Sequence, residues 1–528
     1  MAEIFVTSTA DSGAGSLRQA IADANDGDVI LFDPLVFPLE SQTTIFLTSY
    51  LVLNKAVSII GGERTGTGYS SGATSDRYVY RLVNGVKTKV SITSSDDIQE
   101  GESVFFEVLP RVILDGQVAA RIINASANAT FIGIGLKNGT ASIGGGVYTS
   151  SACTLRFNAC AFKTCASTSN GGAVYTTSTS VAFFDACSFV SCSASGNGGA
   201  ILTNNSSAAG LTLCSFDSCT ATNGGALNSY LTSGINLIAS VFHACSASSN
   251  GGVIYSQSTS ANTFDNTEFV ECSASSGGVC YSNNGSSNSF TFCDFKDCTA
   301  TNGDASYSTS TSSNSFTSCI VNGSIQVAST STATFDGSEL DALLVGSTAS
   351  ITIAGKITKV ATATLNASTI AIEDGAALSL TGTATIGAAT IASAGRGYLA
   401  TATGIDTSSA TKTNVVECAY GAEIQTFNVS KTGATWTATN LATPILLEVK
   451  SGSAWTTLDA AASGGSYSTT FSTGTIARAF DGDQFFTDSI EAYWRVKSYV
   501  YSTSGGGSEG SDDETWIVDN KTITPNLE

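Results

Sequence analysis

Residues 171–197 read GGAVYTTSTSVAFFDACSFVSCSASGN, and residues 198–223 read GGAILTNNSSAAGLTLCSFDSCTATN. The second stretch is the first rewritten with one residue removed. Seven such copies open at Gly144, Gly171, Gly198, Gly224, Gly251, Gly277 and Gly303, at intervals of 26 or 27 residues. A fixed period of this length marks a solenoid, in which each repeat buries its apolar face only against its neighbours. Two columns are nearly invariant: Phe162, Phe189, Phe216, Phe242, Phe269 and Phe295, and then Cys165, Cys192, Cys219, Cys245, Cys272 and Cys298. A second pair precedes them, with Phe or Leu at 157, 184, 211, 237, 264, 290 and 316 and mostly Cys at 160, 187, 214, 293 and 319. Insertions fall only between the last cysteine and the next Gly-Gly, so like residues sit above like residues about 4.8 Å apart. The apolar runs are short, β-branched or aromatic, and bounded by Gly, Asn and Ser, which reads as strand. The fold expected is all-β: a right-handed parallel β-helix with regular rungs over 144–323.

Composition narrows the class. Only 12% of the 528 residues are charged, against about a quarter in ordinary domains, while 42% are hydrophobic and periodic, which excludes disorder. A net charge of −20 argues against nucleic acid and anionic membranes as partners, and no apolar run is long enough to span a bilayer. The start, MAEIFVTSTADSG, lacks the basic and apolar regions of a secretory signal. With Met1 the only methionine, the expectation is a processed extracellular or cell-surface chain. Most of the 14 cysteines occupy the ladders. Stacked Cys on parallel Cα–Cβ vectors are too far apart for unstrained disulfides, so free buried thiols are expected, and their C-x4-C pairs do not converge as metal ligands do.

Residues 3–33, EIFVTSTADSGAGSLRQAIADANDGDVILFD, predict a strand, a short helix with Ser16 as N-cap and Leu17, Ala20, Ile21 and Ala24 on its apolar face, then a second strand. Residues 1–42 would thus cap the first rung of a solenoid spanning 43–410, covering its open edge. This stretch resembles the N-terminal cap of secreted bacterial parallel β-helix proteins. The GGA and F-x-x-C repeats are similar to those of the polymorphic outer membrane protein and adhesin-like family, with Cys mostly where that family commonly has Asn. The resemblance covers roughly 3–320 and implies a surface location, but members are adhesins, antigens or uncharacterised proteins.

Outside the repeats the reading is coarser. Residues 64–81 read as a solvated loop insertion, with basic Arg64, Arg77 and Arg81 in it, Lys87 and Lys89 just after it, and acidic Asp96, Asp97, Glu100 and Glu102 following. After Cys319 shorter, aromatic-poor rungs continue to about 395, and 400–415 reads as a linker or last turn. From 411 to 528 new alternating strands and tryptophans (Trp436, Trp455, Trp494, Trp516) predict a β-sandwich that resembles a fibronectin type III or immunoglobulin-like module. The acidic run Ser504–Glu514 reads as a flexible loop.

The β-helix scaffold also serves polysaccharide lyases and hydrolases, which need carboxylates and a base on one face. The densest charged cluster is Glu268, Glu271, Asp294 and Asp297 with Lys296, read as a solvated patch. His243, the only histidine, reads as an ordinary exposed residue. Asp481, Asp483 and Asp488 are weak Ca²⁺ candidates; otherwise no cofactor or metal is expected. The column Tyr148, Tyr175, Tyr255, Tyr281 and Tyr307, beside inward aliphatics, should point outward and could stack on sugars. The expectation is a non-enzymatic, extracellular structural or adhesive rod that contacts glycans, cell-surface partners or further copies of itself in a fibre. A polysaccharide-degrading enzyme is the runner-up, and a phage tail-fibre or virion protein is the third reading.

Overall fold

The computed structural model describes residues 2–38, 41–62, 64–65, 68–69, 74–83, 86–92, 94–99, 101–366 and 369–420. Beyond these it describes the strands between 428 and 487. The chain forms two compact units, Met1–Ser313 and Asn314–Glu528.

In the first unit the strands stack as a parallel β-helix. Val174–Thr176 pairs in parallel with Ile201–Thr203, which pairs with Leu227–Ser229. Val181–Asp185 and Ser188–Val190 likewise pair with Ala208–Thr212 and Ser215–Asp217 one rung on. A further short parallel sheet runs through Thr140–Ile143, Ala166–Asn170, Ser193–Ala194, Thr220–Asn223 and Ser246–Asn250. The two glycines that open each repeat have different tasks. Gly251 turns the chain at φ +63, a left-handed conformation that L side chains adopt at a cost. Gly252 lets rungs approach: a Cβ there would lie 2.0 Å from the carbonyl oxygen of Gly278.

The columns seen in the sequence fill the interior. Phe162, Phe189, Phe216 and Phe242 stack with ring centroids 4.5–4.6 Å apart and planes within 11° of parallel. Phe157 and Phe184 form an adjoining stack that meets them edge-on. The cysteine columns turn the corners. The residue before each column member, such as Ala186, Ser191, Leu213 and Ser218, has positive φ. The following thiol donates to a carbonyl of the preceding rung, as Cys192 does to Phe162 O at 3.5 Å and Cys219 to Phe189 O at 3.6 Å. All thirteen cysteines of 153–319 are free and buried. Burial pushes the Cys219, Cys245 and Cys272 thiols well up, so they stay protonated. Later rungs replace apolar interior residues with amides: Asn262 Nδ2 lies 2.9 Å from Ser229 Oγ, 2.8 Å from Ser256 Oγ and 2.9 Å from Asn288 Oδ1.

The strand, helix and strand expected over 3–33 form at Glu3–Val6, Leu17–Asp23 and Val29–Phe32. Helix Leu17–Asp23 is N-capped by Ser16, whose hydroxyl accepts from Gln19 N, and buries Leu17, Ala20 and Ile21. Lys55 Nζ donates to the helix-end carbonyls of Ala22 and Ala24. Strand Glu3–Val6 pairs in parallel with Val29–Phe32.

The insertion departs from expectation. It is no solvated loop: Thr74–Val83 pairs antiparallel with Val86–Ser91 on one side and Phe105–Leu109 on the other. This sheet buries Tyr78 and Phe105 against Val241 and Val270 of the rungs. That apolar contact is what draws the segment out of water.

In the second unit the rungs are shorter. Thr332–Asp336 pairs in parallel with Ser350–Ala354, which pairs with Thr369–Ile372. Parallel pairing runs on through Thr390–Thr401 with Thr411–Ala419, past the boundary expected at 410. Residues 402–410 form the turn between these two paired strands, so the 400–415 stretch is a turn of the last rungs and not a linker. Two small antiparallel sheets follow, Asn428–Thr432 with Thr435–Leu441 and Gly465–Thr470, and Ala454–Ala462 with Ile445–Ser451, Ile476–Phe480 and Phe485–Thr487. Trp436 and Trp455 fall on these strands, whereas Trp494, Trp516 and Ser504–Glu514 lie outside the described residues.

Candidate functional site

The tyrosine column is built by strand alternation. In Val147–Thr149, Val174–Thr176 and Ile254–Ser256 the two outer residues are buried and the middle tyrosine faces outward, half-buried. Tyr255, Tyr281 and Tyr307 form a run of three rings with centroids 5.5 and 5.4 Å apart, tilted by 56° and 31°. Tyr148 and Tyr175 form a separate pair at 5.8 Å. Between them Leu202 and Asn228 are fully buried, and Asn228 Nδ2 donates to Tyr255 O at 2.7 Å. The column is therefore two aromatic patches. Neighbours hold the phenols: Asn204 Nδ2 donates to Tyr175 Oη at 2.8 Å, and the Arg121 guanidinium lies 4.8 Å from the Tyr148 ring centre. Burial, with the neighbouring tyrosines, pushes the Tyr281 hydroxyl up, so this phenol stays neutral.

A second constellation lies under the inserted sheet. Asp217 and His243 occupy the same column on adjacent rungs, and both are buried. His243 Nδ1 lies 2.9 Å from Asp217 Oδ1, and Ser218 Oγ donates to the same oxygen at 2.8 Å. The hydroxyls of Tyr78 and Tyr80 donate to Oδ2 at 2.8 and 2.9 Å. Burial alone would raise the Asp217 carboxyl, but the His243 interaction and the Tyr78 and Ser218 hydroxyls bring it down to about 2. Tyr80 stacks on the imidazole at 4.0 Å and Phe105 lies 4.8 Å away. His243 is thus not the exposed residue expected from sequence, because the inserted sheet covers it. A chain of ion pairs rims the contact. Lys87 pairs with Glu271 and sits 3.4 Å from His243 Nε2. Glu107 holds Lys89 at 3.2 Å and Lys163 at 2.5 Å. Lys296 pairs with Glu268 and with Asp294 at 3.1 Å, while Ser103 Oγ donates to Glu268 at 2.5 Å.

The solvated acidic patch is corrected by the same contacts. Glu268, Glu271, Asp294 and Lys296 bind the insertion or one another, and only Asp297 stands apart as an exposed turn residue at φ 51. The basic cluster divides likewise: Lys87 reaches Glu271 of the rungs, Lys89 lies over the Tyr78 ring and pairs with Glu107 within the insertion, and Arg81 pairs with Glu102 at 2.6 Å there as well. Sequence reasoning missed Asp217, Tyr78, Tyr80 and Phe105. The available signal was an acid and the sole histidine adjacent in one outward column, together with two tyrosines two residues apart on a strand.

Among the described residues no group of three or more His, Cys, Asp or Glu is placed to hold a metal ion. The Ca²⁺ candidates Asp481, Asp483 and Asp488 lie outside the described residues. No described helix is long and apolar enough to cross a membrane. No protein-family model matches the chain, and no curated protein sequence matches it.

Proposed function

We propose that the chain is a non-enzymatic structural or adhesive protein of the cell surface, whose β-helix holds a stiff outer face against glycans. The observation that carries this reading is the run Tyr255, Tyr281 and Tyr307: three half-exposed rings about one rung apart, fixed on strands whose flanking residues are fully buried. Aromatic faces pre-ordered in this way meet sugar rings with little further loss of side-chain freedom. Each contact is weak, and repetition along the column supplies avidity. The resemblance of the cap and repeat motifs to those of adhesin-like β-helix proteins of bacterial surfaces supports this role.

The competing enzyme reading would draw on His243, Asp217 and the Glu268 cluster. Those groups are engaged by the insertion, and Tyr80 and Phe105 occupy the space beside the imidazole that a substrate would need. The test is a panel of polysaccharides and mucins scored in the same wells for binding and for chain shortening. Binding without shortening, weakened at least tenfold by Tyr255→Ala with Tyr281→Ala, is expected. Chain shortening by the purified protein would refute the reading.

A further inference from the structure

The short parallel sheet beside the Gly-Gly corner carries a pattern that glycan binding does not use. Its rungs read TAS at 140–142, SAS at 193–195, TAT at 220–222, SAS at 246–248, SAS at 273–275 and TAT at 299–301, with AST at 166–168 between the first two. The first position of each triplet is in register from rung to rung, through Thr140↔Ala166, Ser193↔Thr220, Thr220↔Ser246, Ser246↔Ser273 and Ser273↔Thr299. The central alanines of 194 and 247 are buried, while Ser195, Ser248, Ser275 and Thr301 are exposed. Alternation thus sends two hydroxyl residues outward on each rung from 193 to 301, about 6.7 Å apart along the strand and about 4.8 Å apart across it, while the 166–168 rung offers Thr168 alone and Thr140 turns its hydroxyl inward.

Three further features restrict what such a grid can bind. From 140 to 143, 166 to 170, 193 to 197, 220 to 223, 246 to 250, 273 to 276 and 299 to 302 there is no charged residue and no aromatic one. A charged polymer therefore finds no counter-charge, and a sugar finds no ring to stack on. The hydroxyls are also oriented by the backbone ladder: Thr222 Oγ1 donates to Ser195 O at 2.7 Å and Ser275 Oγ donates to Ser248 O at 3.0 Å. Their own lone pairs remain for an outside donor. An asparagine file backs the edge of the strip, with Asn223 Nδ2 on Asn197 Oδ1 and Asn250 Nδ2 on Asn223 Oδ1, both 2.9 Å. The extra residue of the longer rungs (Ser169, Gly196 and Ser249) falls beyond the second hydroxyl and leaves the first column unbroken.

We propose that this strip is a site for a crystalline water lattice, an ice-binding face. Liquid water has no fixed repeat to match a rigid grid, whereas ice presents donors and acceptors at a constant spacing. Many weak hydrogen bonds then form together, with the ordering cost already met by the β-helix. The threonine methyls beside the hydroxyls fill the troughs without holding a competing hydration shell, as a charge would.

The test uses the full chain in two measurements: partition into a slowly grown ice hemisphere, and inhibition of recrystallisation in a frozen sucrose film. Enrichment in ice over a co-frozen control protein and growth arrest at micromolar concentration are expected. Thr220→Lys with Ser248→Lys should cut the inhibition at least tenfold, while Ser287→Lys, exposed on another face, should leave it unchanged. Circular dichroism melts of each variant establish that the rungs are intact. Exclusion of the parent chain from ice overturns the proposal, whether or not the chain sediments with microcrystalline cellulose. Equal loss in Ser287→Lys overturns it as well.

Discussion

The lock between insertion and rungs should fail when Asp217 is replaced by asparagine. The carboxylate accepts four hydrogen bonds, two at each oxygen, from His243, Ser218, Tyr78 and Tyr80. An amide of the same shape keeps one acceptor and turns two donors toward two other donors. Hydrogen bonds to a charged group contribute about 1.5–3 kcal/mol each, so losing two in a buried site costs on the order of 3 kcal/mol once the insertion relaxes. The carboxyl acidity gives an independent figure. Held at about 2 against an ordinary 3.8, it corresponds to roughly 2.4 kcal/mol of folded-state preference for the anion. The rungs keep their Phe and Cys columns, so the loss should be local. Hydrogen exchange of 74–109 should accelerate about a hundredfold, since 1.4 kcal/mol is a factor of about ten, while amides of the Phe stack stay protected. Because the folded pKa lies below the unfolded one, this stability is full above about pH 4 and is lost as the pH falls toward about 2. The parent should therefore show the same local opening in acid. Protection of 74–109 in Asp217→Asn within twofold of the parent would refute the reasoning and leave the Tyr78, Phe105, Val241 and Val270 contact as the tie.

Two further outcomes follow from the rungs. Gly252→Ala should cost at least about 3 kcal/mol in chemical denaturation, because its Cβ meets backbone of the next rung. Gly27→Ala, with left-handed φ +91 but nothing within 4 Å, should cost about 1–2 kcal/mol; equal losses would show that rung approach is not the reason for the second glycine. The thirteen cysteines of 153–319 should resist a water-soluble thiol reagent in the folded chain and react on unfolding, and reductant should leave the melting temperature unchanged. Reaction of more than one thiol per native chain, or a lower melting temperature on reduction, would contradict the free, buried column.

The β-helix was legible because its determinants repeat. Gly251 and Gly252, Phe216 and Cys219 each have counterparts above and below, so one misread copy is corrected by the others. The insertion was not legible, since its contacts join residues far apart in sequence and occur once. Tyr78 reaches Asp217 across 139 positions, and nothing at Tyr78 forecasts that partner. The segment still carried a local hairpin signal, Asn84-Gly85 between RYVYRLV and VKTKV, hidden by the Gly- and Ser-rich run before it. The tyrosine column was half legible: alternation set its outward direction, but only packing shows that Leu202 and Asn228 divide it.

Repetition creates an ambiguity that the unrepeated residues resolve. If every rung were Gly-Gly, Phe and Cys, a slip by one whole rung would preserve nearly every buried contact, and the columns alone could not forbid it. Asn262 breaks the equivalence. Its amide nitrogen lies against Ser229, Ser256 and Asn288, and its oxygen accepts from Ile235 N at 2.9 Å. The preceding rung has Ile235 in that column, and shifting the asparagine there would strand a buried amide at about 1–3 kcal/mol. Asp217 and His243 fix the rungs in the same way, because only that pair satisfies Tyr78 and Tyr80. Polar exceptions in an apolar stack thus specify which rung is which, at little or no gain in stability. Asn262→Ile takes the buried acceptor from Ile235 N, so it should cost about 1–3 kcal/mol in chemical denaturation and refold to a mixture, read as doubled amide resonances for rungs 229–288. A single set of resonances after refolding would show that the amide has no part in setting register.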